Sequence, residues 1–142
     1  MVKEKCIMVC VTPQTSCKRL IEAGAGIAEK SGEKLIIISI LNTSANDLDA
    51  LGELYSCVEE RNADMNVYFN GEPALTAAVA AKRYGARELI TGFPGDGSNA
   101  FIGKVHELIP DVPIRMIDTD GTQYRIIRCT EEEIEKARAS VN

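Results

Sequence analysis

Two loops gather the residues best suited to chemistry. The first reads Thr12-Pro13-Gln14-Thr15-Ser16. Three hydroxyls just ahead of a helix start can hold an anion, because the first turn of a helix leaves its N–H groups unpaired. The second reads Gly92-Phe93-Pro94-Gly95-Asp96-Gly97-Ser98 and is followed by Gly103-Lys104. Glycines there let the backbone approach a phosphate and point successive N–H groups at it. The same stretch also reads as two turns, Pro94-Gly95 and Asp96-Gly97, with Ser98 as a helix N-cap. Its spacing is not that of a Walker A loop, and no G-x-G-x-x-G run is present.

Catalytic and metal chemistry find less support. His106 is the sole histidine and falls beside Ile102 and Ile109 at helical spacing, a boundary position more than that of a general base. Ser98 lies in Asp96-Gly97-Ser98-Asn99, which is not a nucleophile elbow. Cys17, at the start of the first helix, has a dipole that would favour its thiolate, against the plainer reading of a buried thiol. Cys6 and Cys10 lie four apart in a strand-like run, about 13 Å from one another, too far to share one zinc ion. No C-x-x-C occurs, and the five cysteines are expected to be reduced and inert. Neither a catalytic triad nor a metal site is expected.

The elements that must carry these loops follow from the switching hydrophobic period. Strands are predicted over residues 5–11, 34–41, 64–69, 87–91 and 112–118, and helices over 16–31, 47–62, 73–84 and 98–109. Gly32 and Gly85 stand where C-caps are needed, Pro73 opens a helix, and Pro110 ends one. Pro113 near the start of the fifth strand points to a sheet edge. Strict alternation of strand and helix requires a parallel sheet with helices on both faces, the α/β class. Residues 1–120 form this domain. Residues 121–142 form an appendage, a strand at 124–129 and then a short helix for which Thr130 and Glu133 have capping-box spacing. Glu131, Glu132 and Glu133 complement that helix's dipole.

Composition narrows the partners. The chain has 142 residues, 45% hydrophobic and 26% charged, which suits one globular domain. Its net charge of −5, with no basic cluster longer than two residues, speaks against nucleic acid. Three Phe, four Tyr and no Trp supply base stacking poorly. No apolar run is long enough to span a bilayer, and the N-terminus lacks the pattern of a signal peptide. A cytoplasmic protein without membrane contact is expected.

The order of elements, the Val9-Cys10-Val11-Thr12 strand end and the Gly92-x-x-Gly95 loop resemble the universal stress protein superfamily over residues 4–118. The nearest flavour is the stress-protein domain of potassium-responsive sensor kinases. The resemblance implies an open five-stranded parallel sheet in the order 3-2-1-4-5, a Rossmann-like fold of the adenine-nucleotide α-hydrolase kind. Many members of that family bind ATP through G-x2-G-x9-G-[S/T], and others do not bind it. Gly92 and Gly95 match the first two glycines. Gly103 is the candidate third, after seven intervening residues in place of nine, and Lys104 stands where the family has Ser or Thr. Thr12 replaces the usual Asp, while Ile40 and Leu41 fall where adenine meets an apolar side chain.

The implied ligand is ATP or another adenine nucleotide, with Mg²⁺. Its site would comprise Thr12, Pro13, Thr15, Leu41, Gly92, Gly95, Gly97, Ser98, Gly103 and Lys104. The implied role is a non-enzymatic stress-response or signalling module, at most a slow ATPase, read by a protein partner. The shortened spacing and the missing Asp favour the alternative of a degenerate relative acting through protein contacts alone. Relatives pair through the edge of the fifth strand, so a homodimer involving residues 112–129 is expected. An adenylating enzyme of the wider group would need S-G-G-x-D-S, which is absent.

Overall fold

A computed structural model describes residues 5–12, 15–41, 48–61, 63–93, 100–128 and 130–141. The run KCIMVCV becomes β1 (Cys6–Val11), buried at every position, as expected of a strand covered on both faces. A 3₁₀ turn at Thr15–Cys17 leads into α1 (Lys18–Ser31), which buries Leu20, Ile21, Gly24 and Ala28 at helical spacing and ends at Gly32. β2 (Lys34–Leu41), α2 (Leu48–Glu60), β3 (Asp64–Phe69), α3 (Pro73–Tyr84), β4 (Ala86–Gly92), α4 (Ala100–Leu108) and β5 (Ile114–Ile117) follow. Pro73 sits in the first turn of α3, where its missing N–H costs nothing.

The sheet runs β3-β2-β1-β4-β5-β6, where β6 is Gln123–Ile126. The first five strands are parallel and in the expected order, but the sheet has six strands, not five. β6 pairs antiparallel with β5, Arg115 opposite Arg125 and Met116 opposite Tyr124. The hairpin turn explains the extra strand. Gly121 adopts φ +89°, open to glycine without steric cost, and its N–H donates to the Asp118 carbonyl at 3.0 Å. The Asp118 N–H donates to the Thr122 carbonyl at 2.8 Å and closes the hairpin. β5 is therefore an interior strand. Pro113 precedes it, so no ladder N–H is lost there.

Two hydrophobic layers sandwich the sheet. On one face Cys6, Met8, Cys10, Ile36, Ile38 and Leu89 pack under α3 and α4. On the other, Ile7, Val9, Leu35, Ile37 and Ile90 pack under α1 and α2. Gly24 sets the approach of α1, since a Cβ there would stand 2.5 Å from Val9 Cγ2. Glu88, 1% exposed, faces the α1 layer opposite Ile7. Its Oε1 accepts from Arg115 Nε at 2.5 Å, with Arg125 Nε at 4.0 Å, which joins β4, β5 and β6 electrostatically. The last helix, α5 (Glu131–Val141), begins with the Glu133 N–H donating to Thr130 Oγ1 at 3.2 Å. Residues 131–140 of it are exposed. No helix among the described residues is long and apolar enough to cross a membrane.

Candidate functional site

β1 sends its connection to the α1 face and β4 sends its own to the α4 face, so a crevice opens beyond their carboxyl ends. A cavity of about 360 Å³ occupies that position, large enough for a small organic ligand. Strand alternation builds it. Cys10 on β1 faces the same side as Ile38 and Ile40 on β2, with Val11 and Thr12 at the end of β1 and Thr91 and Gly92 completing the wall. Pro73 and the pair Phe101 and Ile102 close it from the first turns of α3 and α4. Every one of these lining residues is uncharged.

The polar groups of the wall are few. The Thr12 hydroxyl shares a hydrogen bond with Cys17 Sγ at 3.4 Å. Burial pushes the Cys10 thiol up to about 12, so it remains protonated at neutral pH and acts as an apolar wall. Burial, aided by nearby Glu33, likewise pushes Cys6 up to about 11. Such thiols are poor nucleophiles. Among the described residues no cluster of three His, Cys, Asp or Glu is placed to hold a metal ion.

The predicted site residues part company here. Thr12 and Gly92 line the cavity. Thr15 opens the 3₁₀ turn beyond β1. Leu41 is 4% exposed but, by alternation, belongs to the opposite face of β2, and its neighbour Ile40 lines the cavity instead. Gly103 and Lys104 lie in α4 and are exposed, and among the described residues nothing outside the helix's own backbone lies within 4 Å of a Cβ built on Gly103. Pro13, Gly95, Gly97 and Ser98 lie outside the described residues. His106 is half-buried further along α4 and does not line the cavity.

Most of the lining was not anticipated as part of a site: Cys10, Val11, Ile38, Pro73, Thr91, Phe101 and Ile102. Phe101 and Pro73 enter from helix first turns, where an aromatic residue just after a glycine-rich loop is the one available signal. Arg19 stands at the same end of the sheet on the α1 side, 3.4 Å from where a Cβ on Gly92 would lie. Its guanidinium donates to the carbonyls of Ser16 at 2.7 Å, Ile117 at 3.3 Å and Asp118 at 3.4 Å.

Fold and site thus define an open α/β sheet protein with a cavity at the topological switch point whose described lining is uncharged. The sequence matches no protein-family model and no curated protein. Among solved structures, the chain is similar to a universal stress protein in complex with cAMP, with a TM-score of 0.60 and 21% identity over 80% of this chain and 97% of that one. It is similar to the universal stress protein from Archaeoglobus fulgidus in complex with dAMP, with a TM-score of 0.61 and 18% identity over 80% and 97%. A protein of the universal stress protein family from Burkholderia pseudomallei gives 0.55 and 13% over 78% and 94%. At these identities the likeness is one of fold.

Proposed function

We propose that this chain binds an adenine nucleotide in the cavity at the ends of β1, β2 and β4 and acts as a non-enzymatic signalling module of the universal stress protein kind. The observation that carries the reading is the cavity itself, which lies at the switch point and pairs an apolar floor with Thr12, Thr91 and Gly92. An aromatic base and a sugar suit such a lining. The two similar structures that hold cAMP and dAMP support the same ligand class. With the described walls uncharged, the base and sugar are the expected main contributors to affinity there, and Mg²⁺ would arrive on the phosphates.

In this reading the module works in the cytoplasm, as a homodimer through residues 112–129, and its ligand state is read by a protein partner. The finer kinship with the domain of potassium-responsive sensor kinases rests on Val9-Cys10-Val11-Thr12 and Gly92-x-x-Gly95 alone. A second reading is favoured by Lys104 and Gly103, which lie away from the cavity: a relative that binds no nucleotide and works through protein contacts.

Calorimetric titration with AMP and with Mg-ATP separates the two. Micromolar heats that vanish in Gly95→Val support the first. Absence of heat up to millimolar nucleotide supports the second. Slow ATP hydrolysis, if seen, should disappear in the same variant.

A further inference from the structure

We infer that the β5–β6 hairpin is a working part of this site, with Tyr124 positioning the Gly92–Phe93 segment that borders the cavity. The inference rests on the nucleotide-binding reading above. Phe93 directly follows Gly92, a lining residue, and its ring packs on Tyr124 of β6 with centroids 5.0 Å apart and planes tilted by 41°. Offset, tilted pairs at this separation are attractive.

Main-chain contacts place the same segment against the same hairpin. The Phe93 N–H donates to the Ile117 carbonyl at 3.2 Å, one residue before the turn begins. Arg19 donates to that carbonyl as well, and to the next one at Asp118, while its guanidinium flanks Gly92. The hairpin is itself held firmly. Arg115 Nη1 donates to Gln123 Oε1 at 2.7 Å and Arg115 Nε to buried Glu88, so β6 cannot shift without disturbing β4. The Thr122 N–H donates to Asp120 Oδ1 at 2.9 Å within the turn.

A purely structural aromatic pair would only cover the sheet edge. Here the pair sits where the strand carrying the cavity wall ends, and both rings remain partly exposed, 40% for Phe93 and 45% for Tyr124. The contact thus links ligand occupancy to β6. Tyr124 is not among the described lining residues and acts through Phe93, so it is a positioning residue.

The chain has no tryptophan, so Tyr124→Trp introduces a single reporter at the contact. AMP is the probe, titrated by calorimetry into the unmodified chain and by fluorescence into the Trp variant. The expected result is an emission change that saturates with the calorimetric affinity. Tyr124→Ala should weaken AMP binding by about 3- to 10-fold, and Tyr124→Phe, which keeps the ring, should stay within about 2-fold of the unmodified chain. If the unmodified chain binds AMP but Trp emission stays constant and Tyr124→Ala keeps full affinity, the positioning role is overturned and the nucleotide reading stands. If the unmodified chain gives no heat with AMP, the nucleotide reading fails and takes this inference with it.

Discussion

A single carbon decides how closely α1 lies on the sheet. Gly24 is buried, and a Cβ added there would meet Val9 Cγ2 at 2.5 Å and Leu35 Cδ1 at 3.2 Å. Both neighbours are β-sheet side chains in a full core, with no exposed volume to move into. Gly24→Ala should therefore destabilise the fold by about 1–3 kcal/mol, the usual cost of overpacking. Gly26, two positions on, is exposed and has nothing within 4 Å of its added Cβ. There the same substitution should stabilise by about 0.5–1 kcal/mol through helix propensity alone. Urea unfolding of both variants checks the pair. Equal effects at the two positions would show that propensity, and not the approach of α1 to β1, governs this helix.

Among the elements, the far side of the sheet depends on one carboxylate. Glu88 is buried in the α1 layer, and Arg115 is the arginine in direct hydrogen-bonding contact with it, at 2.5 Å. Arg87 and Arg125 stand 3.8 and 4.0 Å away. Arg115→Met removes the direct partner and the tie to Gln123, and should cost about 3 kcal/mol because a buried charge loses its closest compensation. Adding Glu88→Leu should recover most of that loss, since two apolar side chains leave nothing unpaired. A double variant no more stable than the single one in urea would mean that Arg87 and Arg125 already compensate the charge.

The elements also show which parts of the site were legible. Parallel strands buried on both faces announce themselves as apolar runs, so β1 and β2 could be read early, while the strand order came only with the resemblance to universal stress proteins. That same double burial hid the parity of β2. In Ile36-Ile37-Ile38-Ser39-Ile40-Leu41 both faces are apolar, so nothing in the run distinguishes Ile40, on the cavity side, from Leu41 on the other. Gly103 and Lys104 raise a different point: glycine spacing does not say which face of α4 a residue takes, and both are exposed and absent from the described lining of the cavity. The sixth strand did have a signal, the Asp120-Gly121 dipeptide typical of tight hairpins, ahead of an alternating Tyr124-Arg125-Ile126 run.

For the whole molecule, the six-stranded sheet changes where the proposed homodimer would form. With β6 paired to β5, the fifth strand offers no edge, and contact through residues 112–129 must use the outer side of β6. β6 carries Tyr124 at 45% exposure and leads into Ile127 at 57%. The opposite edge, β3, competes with it, for Val67 and Phe69 are 40% and 65% exposed there. Both edges present unpaired backbone groups, and such edges pair unless something blocks them. The proposed dimer predicts that the chain sediments as a dimer at tens of micromolar and that Ile127→Glu makes it monomeric, while Phe69→Glu leaves it dimeric. Dissociation by Phe69→Glu alone would transfer the interface to β3, far from the Phe93–Tyr124 contact. Assembly would then have no direct path to the cavity. Retention by β6 would instead place the partner subunit against the hairpin that holds Gly92, so that AMP and dimer formation should each strengthen the other.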